Sequence, residues 1–202
     1  MGPGEADIPL WIKVADTLFV CVLVPVYVRH YGPANFLWFS DVALLVTVPA
    51  LWIESRLLAS MMALAVILPE LAWNLDFFGR LFTRRHLLGL AAYMFDPDTS
   101  LLLRGLSLFH VFLPVLLLWM LRQVGYDARA FVAQTVLGEV LLVLTYAFTD
   151  PSKNINWVFG PGPQPQRRVP SAVYLAAVMV FFPVCVYWPT HQWLRRVLLA
   201  PR

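Results

Sequence analysis

A few ionisable and hydroxyl side chains lie inside otherwise apolar stretches, and they are the residues that could do chemistry. His110 carries an imidazole that can act as a general base. Ser40 or Asp41 would be the nucleophile, and Glu70 or Glu139 would orient the imidazole. An ionisable group in lipid costs on the order of 3 kcal/mol and usually has a function or a partner. This set therefore predicts hydrolytic or acyl-transfer chemistry.

The spacing of these residues predicts that several share one surface. Residues spaced i, i+3, i+4 and i+7 lie on one face of a helix, and this spacing holds for Glu70, Trp73, Asn74 and Phe77. His110 precedes Pro114 by four residues, so the proline frees a carbonyl one turn from the imidazole. Asp41 reaches His110 only if their two helices are neighbours.

The residue inventory argues against several other kinds of site. Of the four histidines, only His110 lies well inside an apolar stretch, so neither a bis-histidine haem nor a histidine-rich di-iron centre is predicted. GxSxG, CxxC and HExxH motifs and glycine-rich phosphate loops are absent from the sequence. A metal ion held by Asp41, Glu70 and His110 is conceivable, but no tight spacing favours it. We predict no metal and no cofactor.

One loop has an unusual composition for a linker: TDPSKNINWVFGPGPQPQRR, residues 149–168. Its prolines stiffen it, and its glycines permit sharp turns. Its asparagines can bond backbone groups, and its aromatic side chains favour the bundle or the membrane interface. We predict that it forms a lid over a polar pocket. The predicted substrate-binding residues are Asn74, Glu139, Asn154, Asn156 and Trp157.

Composition predicts a membrane protein. Of 202 residues, 60% are hydrophobic and 13% are charged, and the mean hydropathy is +0.70. This balance is far from that of a soluble domain. The first residues lack the positive start of a cleavable signal. Basic residues are scattered rather than clustered, so nucleic acid is not a predicted partner. We predict one domain over 1–202 and a bacterial inner-membrane location.

Continuous apolar stretches predict the elements that position the candidate residues. About 20 residues are needed to cross a bilayer as a helix. Continuous rather than alternating apolar residues argue against membrane strands. We predict an all-α bundle of six transmembrane helices, at about 8–28, 36–53, 57–78, 101–121, 129–148 and 171–194.

Six spans would place both termini on one side, here called side A, with loops 54–56 and 122–128. Side B would hold loops 29–35, 79–100 and 149–168. Lys and Arg are divided almost evenly between the sides, so the orientation is not predicted. Most polar residues within the spans lie towards side B. Near side A, Lys13 and Asp16 are three residues apart and are predicted to pair.

The order of several short motifs resembles a known family. Ser40 heads the second span, LPELAWNLD closes the third, SLFHVFLP lies in the fourth and NINWVFGPG follows the fifth. This layout is similar to the YwaF-type integral membrane family, whose relatives include androgen-induced-type lipid hydrolases and a phospholipid acyltransferase. The resemblance implies His110 as catalytic base and Ser40 at the nucleophile position. The family's His-x-Cys reads Trp38-Phe39-Ser40 here. The FTDP…NINWVFGPG signature also resembles that of other bacterial membrane proteins.

Three functions fit these observations. The first is a lipid hydrolase or acyltransferase, with membrane lipid as its partner. The second is a non-catalytic, lipid- or pigment-binding subunit of a larger membrane complex, which suits the 14% aromatic content. The third is a small transporter or proton-conducting protein, favoured by proline-interrupted helices. The small number of polar groups near side A argues against the third.

Overall fold

The computed structural model describes residues 8–85, 87–162 and 164–198, and in these ranges the chain forms helices, turns and loops without a β-strand. Five helical spans are long and apolar enough to cross a membrane: Leu10–Tyr31, Arg56–Thr83, Leu101–Val124, Ala130–Phe148 and Ser171–Leu198. The prediction of an all-α protein with several membrane-compatible helices is confirmed.

The helices are numbered in chain order. They are α1 (Leu10–Tyr31), α2 (Phe39–Trp52), α3 (Arg56–Thr83), α4 (Leu101–Ser107), α5 (Phe109–Val124), α6 (Ala130–Phe148), α7 (Ser171–Phe181) and α8 (Trp188–Leu198). Helices α4 and α5 together form one span. Helices α7 and α8 form another, joined by the π-helical segment Phe182–Tyr187.

The second predicted span, 36–53, is a shorter apolar helix. The chain forms a 3₁₀ turn over Pro33–Leu37, and Trp38 is extended (φ −58°, ψ 136°) before α2 begins at Phe39. Helix α2 has 14 residues. At 1.5 Å per residue this is about 21 Å, against roughly 30 Å of hydrocarbon. Helix α2 alone is therefore too short to cross the hydrocarbon, and the prediction of six spans is not confirmed.

Helix α3 is the centre of the bundle. In its apolar window 56% of the residues are buried, against 17–33% in the other four spans. Ala59, Ser60 and Ala63 are completely buried, and small side chains let neighbouring helices approach closely. Ser55 caps the helix by accepting a hydrogen bond from the Leu58 N–H at 3.2 Å. Residues on α3 are thus positioned to meet several helices at once.

Contacts between loops define the two ends of the bundle. At side A, Arg56 Nε donates to the carbonyl of Val124 at 2.8 Å. At side B, Lys153 Nζ donates to the carbonyl of Tyr31 at 3.0 Å. These contacts join the 54–56 loop to the 122–128 loop and the 29–35 loop to the 149–168 loop. Each end of the bundle thus has a hydrogen bond between two of its loops.

The predicted pairing of Lys13 with Asp16 is wrong. Lys13 Nζ lies 2.7 Å from Glu54 Oε1, and the same oxygen accepts the Ile8 N–H at 3.2 Å. Glu54 adopts φ 51° just after α2, which turns its carboxylate towards the start of α1. The hydrogen bond from Lys13 lowers the pKa of Glu54 below its ordinary value. Lys13 therefore extends towards the end of the bundle, where long basic side chains usually reach water.

The last span contacts α6 through a glycine. Pro183 lacks an N–H, which interrupts the regular ladder where the π-helical segment begins. Tyr187, at the end of this segment, is completely buried. A Cβ added at Gly138 would lie 2.6 Å from the Tyr187 hydroxyl oxygen. The absence of a side chain at Gly138 therefore permits this contact.

We expect Gly138→Ala to lower the stability by about 1–3 kcal/mol, because Tyr187 would have to leave a packed position. Gly105→Ala in α4 is the matched control, since a Cβ there meets no atom within 4 Å. Alanine favours a helix over glycine by up to about 1 kcal/mol, so this control should be as stable as the natural chain or more so. Thermal unfolding in detergent measures both. Equal midpoints for the two variants would contradict the close approach.

Candidate functional site

A buried acid and a histidine from two helices form a close pair. His110 Nδ1, on α5, lies 2.9 Å from Oε1 and 2.8 Å from Oε2 of Glu70, on α3. The Glu70 side chain is 3% exposed and that of His110 is 15% exposed. Of the two acids predicted to orient the imidazole, Glu70 is the one that contacts it.

This contact determines which ring nitrogen of His110 remains available. An ionised carboxylate only accepts hydrogen bonds, so beside an ionised Glu70 the Nδ1 atom carries a hydrogen and donates it. In the described part of the chain, Nε2 has no hydrogen bond to a protein atom. The rings of Trp73 and Phe109 stack on the imidazole, with centroid distances of 4.7 and 4.0 Å. In the tautomer that carries its hydrogen on Nδ1, the imidazole presents Nε2 as a proton acceptor.

Asn74 joins α3 to α5 beside this pair. The carbonyl of His110 lacks its usual helical partner because Pro114 has no N–H. Asn74 Nδ2 donates to that carbonyl at 2.7 Å and to the carbonyl of Glu70 at 2.8 Å. Both amide hydrogens are thus engaged in fixing the two helices. Asn74 belongs to the site as a brace, and its predicted contact with substrate stays a prediction.

Asp41 adds a second acid to the same region. Its side chain is 4% exposed and interacts electrostatically with both His110 and Glu70. Asn35 Nδ2 donates to Asp41 Oδ1 over a long 3.4 Å. Ser40 is half-buried, and the described residues give it no hydrogen bond to His110. The structure thus brings Asp41 to the Glu70–His110 pair, whereas Ser40 is one residue away along α2.

Glu139 lies apart from these residues. It is half-buried on α6, and among the described residues it has no hydrogen bond or ion pair. Its carboxyl interacts electrostatically with Tyr187 on the last span. It does not contact His110, so the orienting role falls to Glu70 alone. Its predicted role in substrate binding stays a prediction.

Asn154 closes the 149–168 loop on itself. Its Nδ2 donates to the carbonyls of Gly160 and Gly162 at 2.8 and 2.6 Å, and its Oδ1 accepts the Phe159 N–H at 2.8 Å. The side chain is 3% exposed. The turn predicted from the glycines is therefore held by a single asparagine side chain.

Asn156 fastens the loop to the start of α2. Its Nδ2 donates to the Leu37 carbonyl at 2.7 Å, and its Oδ1 accepts the Phe39 N–H at 3.0 Å. Asn156 and the half-buried Trp157 adopt left-handed backbone conformations, with φ of 51° and 57°. Such a conformation is unfavourable for a bulky residue like Trp157 and persists only where neighbouring contacts enforce it. The loop is thus a fixed part of the bundle next to Asp41, and substrate binding by its residues stays a prediction.

Asp76 is an organising residue that sequence reasoning did not identify. Its completely buried carboxylate accepts four backbone N–H groups, those of Leu87, Leu88, Gly89 and Ala91, at 2.7–3.1 Å. A buried acid just before a loop is the only signal that pointed to this anchor.

Among the described residues, no group of three or more His, Cys, Asp or Glu side chains is arranged to hold a metal ion. No protein-family model, no curated protein and no solved structure matches this chain.

We expect Asn156→Asp to loosen the loop, because a carboxylate cannot donate to the Leu37 carbonyl. The loss of a buried hydrogen bond should cost about 1–3 kcal/mol. Limited proteolysis of the purified protein should then cleave within 149–168 faster than in the natural chain. Gln164→Glu makes the same chemical change at an exposed position of this loop and should leave the cleavage rate unchanged. Equal rates for both variants would contradict the anchoring role.

Proposed function

We propose that this protein is a lipid-directed enzyme, a hydrolase or acyltransferase, with His110 as its general base. The observation that carries the proposal is the Glu70–His110 pair, in which the carboxylate engages Nδ1 and Nε2 has no protein partner in the described part of the chain. An acid that orients an imidazole in this way is the basis of hydroxyl activation in acyl transfer. Because the pair lies in helices suited to a membrane, a lipid ester is the fitting substrate.

The reaction would begin with proton transfer to Nε2 of His110 from the attacking hydroxyl, either that of Ser40 or a water molecule. The hydroxyl oxygen attacks the ester carbonyl carbon, and the tetrahedral intermediate then breaks the bond to the leaving alcohol. His110 returns the proton to the alcohol oxygen. Glu70 stabilises the imidazolium that forms between these steps, and Asp41 adds a further favourable interaction with that charge.

The role of Ser40 requires that the start of α2 approach α5 when lipid binds. The resulting acyl group on Ser40 would pass to water in a hydrolase or to a second hydroxyl in an acyltransferase. This assignment accords with the resemblance to the YwaF-type family, in which we place the chain as a distant relative. That family has a histidine at the position of Trp38. Because Trp38 cannot accept a proton, His110 would act as the base without a second histidine near the start of α2.

We further propose that α2 completes a sixth crossing of a bacterial inner membrane. Its first residue, Phe39, bonds Asn156 of a side B loop. Glu54, two residues beyond its end, bonds Lys13 at side A. The helix therefore joins the two ends of the bundle, although it is shorter than the hydrocarbon of a typical bilayer.

Cysteine accessibility tests this topology. We expect single cysteines at Pro33 and Ser152 to react with an impermeant maleimide from one side of oriented vesicles. Cysteines at Ile53 and Gln123 should react from the other, in a background without Cys21 and Cys185. Labelling of positions 33 and 53 from the same side would make α2 re-entrant and exclude six spans.

A second candidate function, a non-catalytic lipid- or pigment-binding subunit, is favoured by Glu139. Its half-buried carboxyl lies on α6 beside outward-facing valines: Val132, Val136 and Val140 are 65%, 60% and 48% exposed. A carboxyl without a partner is costly next to lipid. A neighbouring membrane protein that offers a donor would remove this cost.

We expect His110→Gln to remain folded, because glutamine keeps a donor for Glu70, and to lose lipid turnover by at least about 100-fold. Ser40→Ala should also be folded and inactive if Ser40 is the nucleophile. His30→Gln, at an exposed histidine, is the matched control and should keep full activity. Mass spectrometry of lipids in vesicles of phosphatidylethanolamine and phosphatidylglycerol measures turnover, alongside thermal stability in detergent. A stable and fully active His110→Ala protein would exclude His110 as the general base and with it the mechanism proposed here.

A further inference from the structure

Another acid within a membrane-compatible helix, Asp16 on α1, has an environment very different from that of Glu70. Its side chain is 5% exposed. Both carboxyl oxygens are buried, and neither has a hydrogen-bond partner in the described part of the chain. Lys13, the nearest basic residue on the same helix, is engaged by Glu54 instead.

Asp16 lies on the face of α1 that packs into the bundle. That face also carries Leu23 and Tyr27, both buried. Tyr27 contacts Ser107 with an oxygen–oxygen distance of 2.9 Å, and Phe19 packs edge-on against Phe112 at 5.0 Å. The carboxyl therefore points into the packed side of α1 and not towards lipid.

The charged groups on neighbouring elements do not neutralise Asp16. In α3, Arg56 bonds the carbonyl of Val124. Arg122 in α5 is exposed. The acid of α2, Asp41, lies at the opposite end of that helix and interacts with Glu70 and His110. None of these groups has an electrostatic interaction with Asp16. The surroundings of its carboxyl affect it only by removing it from water.

An isolated carboxylate in such a place is very unfavourable, and two species could neutralise it. A metal cation such as Na⁺ or Ca²⁺ needs several oxygen ligands, and the described residues place no metal-binding group of acids there. A proton needs only the carboxyl oxygen itself. Protonation turns the costly charge into a neutral acid that tolerates a largely apolar site.

We propose that Asp16 is an intramembrane proton-binding site that is occupied in the resting protein. It is separate from the Glu70–His110 pair. Tyr27, the first of two tyrosines of α1 that interact with Asp41, is eleven residues further along the helix, which is about 16 Å. Asp16 thus supplies an ionisable group near side A. The small number of polar groups at that side was the argument from sequence against a proton-conducting protein.

Infrared spectroscopy of the protein in lipid vesicles at neutral pH tests the proposal through the carbonyl stretch of a protonated carboxylic acid. We expect this band in the natural chain and a loss of one carboxyl's intensity in Asp16→Asn, which mimics the neutral acid in shape. Asp127→Asn, at an acid bound to Arg129 near the surface, should leave the band unchanged. Asp41→Asn separates any contribution of Asp41, which is also a buried aspartate. An Asp16→Asn spectrum identical to that of the natural chain would overturn the proposal.

Two further measurements keep the test decisive. Carbon-13 labelling of aspartate in the natural chain should shift the band, and this requires no substitution at position 16. If the labelled band of the Asp41→Asn protein does not shift, Asp16 is not protonated. In addition, raising the pH should destabilise the natural chain relative to Asp16→Asn, because only the natural chain must then release its proton or hold a buried charge. Stabilisation by Na⁺ at constant pH and ionic strength, lost in Asp16→Asn, would identify a cation site and overturn proton binding.

Discussion

Hydrogen bonding between polar groups inside the bundle constrains this protein more than any other interaction. The clearest case is the carbonyl of His110, which Pro114 leaves without its helical partner. Asn74 donates to it from α3 and thereby locks two helices together at the level where Glu70 meets the imidazole. A proline, an amide and an ion-pairing acid thus form one unit, and the position of His110 depends on all three.

The same constraint explains the ordered loops at side B. Asp76 gathers four backbone N–H groups of the 79–100 loop. In the 149–168 loop, Asn154 bonds backbone groups of the loop itself, and Asn156 bonds backbone groups at the start of α2. Single polar side chains therefore take the place of regular secondary structure where the chain leaves its helices. As a result, the candidate site is bordered by rigid segments.

Two of the buried acids, Glu70 and Asp16, are accommodated in the bundle in different ways. The Glu70 carboxyl has the imidazole of His110 as its hydrogen-bond partner. Such a pair is suited to moving a proton during a reaction. Asp16 has no such partner, and its carboxyl is stable there in the neutral form. The two sites lie towards opposite ends of the bundle, so substitutions at one should be separable from substitutions at the other.

The sequence by itself determined the helical class, because continuous apolar stretches allow little else in a bilayer. It also placed Glu70, Trp73 and Asn74 on one face and foresaw the carbonyl freed by Pro114, since these follow from helical spacing and from the chemistry of proline. Only the tertiary structure decided which acid meets His110, that Lys13 pairs with Glu54 and that Asp76 binds backbone N–H groups. These contacts join residues far apart in the chain or depend on the path of a loop, and local spacing carries no information about which helices become neighbours.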